Sequence, residues 1–128
     1  MAVRILIADD AGFVRELLTQ ACEALGFVVV GEARNGEEAI QMALQRKPDI
    51  ILMDLVMPKY NGLEATEQIL AQLPNIDIIA CSSMDDEITL QQALNKGCRA
   101  FLRKPFTKQS ILSVFRQIKD QRKGMKNA

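Results

Sequence analysis

Four short apolar runs in this chain end on groups that can do chemistry. "ILIADD" (5–10) leads into Asp9 and Asp10, "DIILMD" (49–54) into Asp54, "IIACSS" (78–83) into Ser82 and Ser83, and "FLRKP" (101–105) into Lys104. Taken singly, each has an ordinary reading. An aspartate or serine after a strand is most often a helix N-cap, and Lys-Pro is commonly a turn. Taken together they are three carboxylates, hydroxyls and an ammonium. Carboxylates brought close repel one another unless a cation lies between them. Oxygen donors with no nearby histidine or cysteine suit hard Mg²⁺ better than zinc. A bound Mg²⁺ beside an ammonium makes a site for a phosphoryl group.

Such a cluster forms only where the strands lie side by side and point the same way. The periodicities along the chain demand that arrangement. β-branched runs predict strands over 3–8, 27–33, 49–54, 76–82 and 98–104. Amphipathic stretches between them predict helices. Residues 12–25 place Phe13, Leu17, Leu18, Ala21, Cys22 and Leu25 on one face, with Gly26 as the stop. Asn35 and Glu38 form a capping-box-like pair before a helix carrying Ala39, Ile40, Ala43 and Leu44, and Pro48 marks its end. Gly62 opens a helix with Leu63, Thr66, Ile69, Leu70 and Leu73 inward, closed by Pro74. A helix from about Asp86 to Lys96 carries Leu90, Ala93 and Leu94, and Gly97 ends it. Thr107 can cap a last helix whose inner side holds Ile111, Leu112, Val114, Phe115 and Ile118. Five βα units in a row imply an α/β fold, a doubly wound parallel sheet with helices on both faces. In such sheets ligands bind outside the carboxyl ends of the strands.

Composition excludes several classes. The 128 residues suffice for one domain with a single core, expected over 1–121, with a polar tail at 122–128. Sixteen basic residues balance sixteen acidic ones, so overall charge favours no polyanionic partner. No direct nucleic-acid binding is expected, and the basic tail reads as solvated. No stretch is apolar enough to span a bilayer and the N-terminus lacks a signal-peptide pattern, which predicts no membrane insertion. Cys22, Cys81 and Cys98 are odd in number and at no metal-ligand spacing, so buried free thiols in a cytoplasmic protein are expected. With no histidine in the chain, mechanisms built on its own imidazole are excluded.

"ILIADD", "DLVMPKYNG", "IIACSS" and "RKPF" resemble, in order and spacing, the receiver domain of bacterial two-component response regulators, over Val3 to about Lys119. The likeness is strongest to the stand-alone chemotaxis type. It implies the flavodoxin-like (βα)5 fold with strand order 2-1-3-4-5, and a role for each residue. Asp54 would be the phosphoacceptor, taking the group from a phosphohistidine of a histidine kinase or phosphotransfer protein. Asp10, Asp54 and the backbone carbonyl of Val56 would bind Mg²⁺, with Asp9 holding it partly through water. Ser82 and Lys104 would contact phosphoryl oxygens, and a cis Lys104–Pro105 bond would aim the ammonium inward. Phe101 occupies the aromatic switch position. The output face would lie on helix four, strand five and helix five, including Gln91, Asn95, Arg99 and Arg103. A downstream protein target would bind there, with the flagellar motor switch as one candidate. By this likeness the protein is no conventional enzyme, though it would catalyse its own Mg²⁺-dependent phosphorylation and dephosphorylation.

The chain also departs from the family pattern, or chooses within it. Ser82 stands where threonine is common, Asn61 replaces a frequent aspartate, and Phe101 replaces a frequent tyrosine. Val56 and Met84 are apolar where some members carry polar groups. Three alternatives compete: a receiver fragment of a longer regulator, a flavodoxin-like electron carrier, and an aspartyl-nucleophile phosphatase. The "DDAGF" loop and the lack of tryptophan disfavour the carrier, and Val56 stands where the phosphatase needs a second acid.

Overall fold

The computed structural model describes residues 2–83 and 87–126, with side chains as far as Gln121. Strands and helices alternate throughout: β1 (Arg4–Ala8), α1 (Gly12–Ala24), β2 (Val28–Ala33), α2 (Gly36–Arg46), β3 (Ile50–Asp54), α3 (Gly62–Gln72), β4 (Asp77–Ser83), α4 (Glu87–Asn95), β5 (Ala100–Lys104) and α5 (Lys108–Lys126). The strands form one parallel sheet in the order β2-β1-β3-β4-β5. Every element expected from periodicity is present, with ends shifted by a residue or two, as fraying termini allow. The expected tail differs in one respect: α5 continues to Lys126, through the first part of 122–128.

Side-chain alternation divides the core into two layers. Leu6 and Ala8 of β1, Ile51 and Met53 of β3, and Ile78 and Ala80 of β4 meet Ala39, Ala43, Ala65, Ile69, Leu90 and Ala93 from α2, α3 and α4. Their neighbours Ile5, Ile7, Ile50, Leu52, Ile79 and Cys81 face the other way, onto Leu18, Cys22, Ile111, Phe115 and Ile118 from α1 and α5. Strands covered on both faces must be apolar at every position, which is why β3 shows no polar alternation. In β2 a register shift passes over Val30, whose carbonyl accepts a hydrogen bond from the Arg46 guanidinium.

Two helical faces differ from expectation. On α1, Phe13 is 76% exposed and Leu17 44%, while Val14, Leu18, Ala21, Cys22 and Leu25 turn inward. An arc wide enough to include positions 13 and 17 exceeds what one helix can press on a flat sheet. On α4, Leu94 is exposed and Leu90 and Ala93 carry the contact. The caps are better made than expected at Asn61, which forms a full capping box with Glu64. At α2, Asn35 accepts from the Glu38 amide at 2.8 Å, but the Glu38 carboxylate reaches past it to Arg34. Thr107 and Ser110 cap α5 reciprocally, at 3.0 and 2.9 Å. Among the described residues, no helix is long and apolar enough to cross a membrane.

Candidate functional site

The carboxyl ends of β1, β3 and β5 converge on one pocket. Asp9 and Asp10 follow β1, Asp54 ends β3 and Lys104 ends β5. One carboxylate oxygen from each of Asp9, Asp10 and Asp54 lies within 4.8 Å of the others. Asp9 and Asp54 are buried, and Asp10 is exposed. Neither Asp9 nor Asp10 is a helix N-cap, since that position in α1 belongs to Ala11. The ordinary explanation for these acids therefore fails.

Each buried acid is held by specific donors. Asp9 Oδ1 accepts the Ala11 amide at 2.9 Å, and its Oδ2 accepts Lys104 Nζ at 3.1 Å. Its backbone carbonyl accepts Arg15 Nη1 at 2.8 Å. Asp54 Oδ1 accepts the Val56 amide at 3.1 Å, and its Oδ2 lies 3.5 Å from Lys104 Nζ. Lys104 thus bridges two carboxylates from a strand that pairs with neither of their strands. The Lys104–Pro105 bond is cis, as expected.

Electrostatics follow from that crowding. Burial pushes the Asp54 carboxyl up to about 6, the Val56 amide opposes the shift, Asp9 adds to it, and Lys104 pulls it back. Burial alone would lower the Lys104 ammonium, but Asp54 and the hydrogen bond to Asp9 outweigh it and raise the group. Three carboxylates against one ammonium leave negative charge at neutral pH that a cation would neutralise. The donor set is all oxygen, and exposed Asp10 leaves one side open to water, which fits Mg²⁺.

The remaining candidates lie around this centre. Ser82 is buried and pairs with Arg103 in the ladder, one step beyond Cys81, the partner of Asp54. Burial pushes the Cys81 thiol far above its ordinary value. Val56 presents its amide to Asp54 and exposes 70% of its surface beside the site. Phe101 is 39% exposed, on the α4 side of β5. Met84 lies outside the described residues.

Two glycines that position the site carry no chemistry of their own. A Cβ on Gly62 would stand 2.2 Å from the Asp54 carbonyl oxygen. One on Gly36 would stand 1.8 Å from the Tyr60 carbonyl oxygen, because the start of α2 docks on the loop after β3. There the Glu37 amide donates to the Lys59 carbonyl at 3.0 Å and the Gly36 amide to Pro58 at 3.4 Å. Lys59 and Tyr60 both adopt left-handed backbone, at φ 49° and 65°. Gly62 was legible as a helix start, whereas Gly36 and Arg15 were missed. A glycine directly after the Asn35 cap was the available signal for a close backbone approach.

A family model described as "Response regulator receiver domain" matches residues 5–116. The chemotaxis protein CheY of Thermotoga maritima is 37% identical over 118 residues, covering 92% of this chain and 98% of that one. The receiver domain of AraT, a response regulator from Geobacillus stearothermophilus, superposes with a TM-score of 0.88 at 30% identity, covering 98% and 99%. The CheX-CheY-BeF3-Mg²⁺ complex from Borrelia burgdorferi gives a TM-score of 0.81 at 31% identity, covering 88% of this chain and 89% of that one. With the acids, the lysine and the strand order already in place, the chain belongs to the response regulator receiver domains, the phosphorylation-activated switches of two-component signalling.

Proposed function

We propose that Asp54 takes a phosphoryl group from a phosphohistidine on a histidine kinase or phosphotransfer protein. The observation that carries this is the position of Asp54 between Lys104 and two further acids at the mouth of the sheet. A carboxylate oxygen attacks phosphorus, the new O–P bond forms as the P–N bond breaks, and the imidazole nitrogen keeps the electron pair. With its carboxyl pushed up only to about 6, Asp54 stays mostly ionised at neutral pH yet is more basic than an ordinary aspartate. Asp9, Asp10, Asp54 and the Val56 carbonyl would hold Mg²⁺, which when bound supplies charge neutralisation for the phosphoryl oxygens. Lys104, now bonded to Asp9, is within reach of a group placed on Asp54, and the Ser82 hydroxyl serves a second oxygen.

Lys104 also links the site to β5 and hence to Phe101. Its movement toward a phosphoryl group is the route by which the α4–β5–α5 face changes its affinity for a target. Residues 1–121 form this receiver and 122–128 its polar end. The likeness to the Thermotoga chemotaxis protein supports a chemotaxis kinase as donor and the flagellar motor switch as target. The test is labelling by acetyl phosphate, read by intact mass. The parent protein should be labelled stoichiometrically in Mg²⁺ and not in excess chelator. Asp54→Asn should take no label, and Asp10→Asn should need more Mg²⁺ and react more slowly. Full labelling of the Asp54 variant, or labelling without Mg²⁺, would overturn the assignment.

A further inference from the structure

β5 presents alternate residues to opposite layers. Ala100 and Leu102 enter the α1–α5 side of the core, so Phe101 and Arg103 both point toward α4. There the Arg103 guanidinium carbon stands 5.1 Å from the centre of the Phe101 ring, and Arg103 Nη2 donates to Glu87 Oε1 at 2.5 Å. Glu87 is the first residue of α4. Three side chains therefore form a chain of contacts from the start of α4, across the guanidinium, to the outward-facing ring. We propose that Glu87 and Arg103 form a latch that holds Phe101 outward and opposes the activated state until phosphorylation draws the ring away.

The inference rests on Phe101 acting as the switch and extends that reading to its restraint. A ring that turns inward gives up its contact with the guanidinium, so the cation–π contact belongs to the outward state alone. The Glu87 ion pair helps hold the guanidinium over the ring. Arg103 is also the ladder partner of Ser82 and directly precedes Lys104, so the latch begins beside two residues of the proposed phosphoryl site. Phe101 carries no hydroxyl to anchor it in either position, which gives the arginine a larger share in setting its orientation.

Because a ligand shifts an equilibrium only by its preference for one state, weakening the inactive state tightens whatever binds the active one. Beryllofluoride, an acyl-phosphate mimic, is the probe, titrated in Mg²⁺ into protein carrying 4-fluorophenylalanine. The ¹⁹F signal of Phe101 is assigned by its loss in Phe101→Leu. Glu87→Gln and Arg103→Met should each tighten beryllofluoride binding by about three- to tenfold, the scale of one exposed ion pair and one cation–π contact. The double variant should gain no more than the better single one, since both remove the same latch. The difference between parent and Glu87→Gln should narrow as NaCl rises. Affinity in Glu87→Gln equal to or weaker than the parent's would overturn the latch. A Phe101 signal that does not move when beryllofluoride binds the parent would overturn the switch reading itself, and the latch with it.

Discussion

The backbone of Asp54 and the start of α3 touch so closely that no side chain fits between them at Gly62. A Cβ there would lie 2.2 Å from the Asp54 carbonyl oxygen and 2.7 Å from the Leu55 Cα. Both neighbours are backbone and cannot swing aside. Gly62→Ala should therefore displace Asp54 or the first turn of α3, lower stability by about 2–4 kcal/mol, and cut acetyl-phosphate labelling at least tenfold. Gly26→Ala is the contrast, because its surroundings are open and only its left-handed backbone, at φ 88°, resists. That variant should lose about 1 kcal/mol in urea unfolding and keep its labelling rate.

Asp54 should weaken the metal-free fold at neutral pH. Its carboxyl is pushed up from 3.8 to about 6, chiefly by burial, so the folded state holds the proton more tightly than the unfolded chain does. The destabilisation is fully present above pH 6 and fades as pH falls toward 4. Asp54→Asn should accordingly stabilise the protein by about 1–3 kcal/mol at pH 7.5 in chelator, and most of that gain should vanish by about pH 4. Added Mg²⁺ should narrow the difference at pH 7.5. Urea unfolding of both proteins at the two pH values checks the sign, and a gain that grows on acidification would refute it.

Lys104→Ala should still be phosphorylated but should no longer pass the signal on. The ammonium is the one described cation within 4 Å of both Asp9 and Asp54, and it leads directly to β5. Loss of it should leave labelling detectable while the ¹⁹F signal of Phe101 stays at its unphosphorylated position. A phosphorylated variant whose ring still moves as in the parent would show that coupling runs by another path.

Val56 should prolong the phosphorylated state. Val56 is 70% exposed beside Asp54, and its side chain offers no hydrogen bond to an attacking water. Val56→Asn combined with Met84→Glu should speed loss of the phosphoryl group by about tenfold or more, which corresponds to about 1.4 kcal/mol in the barrier. Decay of the labelled protein in Mg²⁺, after the donor is removed, measures it directly. Equal decay rates would mean that positions 56 and 84 do not control the attacking water.

The parts of the fold legible in the sequence were those written in short-range periodicity. Apolar runs such as residues 50–53 betrayed strands covered on both faces, and caps at Asn35 and Thr107 marked helix starts that the structure contains. The acids and Lys104 could be placed at one edge because all of them end strands of a parallel sheet. The outward position of Phe13 was not legible, because an apolar helical position at the rim of an arc looks like one at its centre. Nor was the docking of α2 on the loop after β3, which depends on Gly36 meeting Tyr60, residues far apart in sequence and joined only by topology. The link between Glu87 and Arg103 likewise needed the geometry of neighbouring elements.

Cys81 sits across the ladder from Asp54, so a thiol and the proposed phosphoacceptor occupy the same rung of the sheet. Burial keeps that thiol protonated, and its hydrogen bond to the Ile79 carbonyl points it back along its own strand. Cys22 and Cys98 are buried too, with burial pushing them up to about 12 and about 11. A thiol held neutral is a poor target for peroxide and a poor acceptor for a migrating acyl phosphate. The three thiols are thereby shielded from oxidant, and peroxide should leave Cys22, Cys81 and Cys98 unmodified in the folded protein, as peptide mass mapping would read.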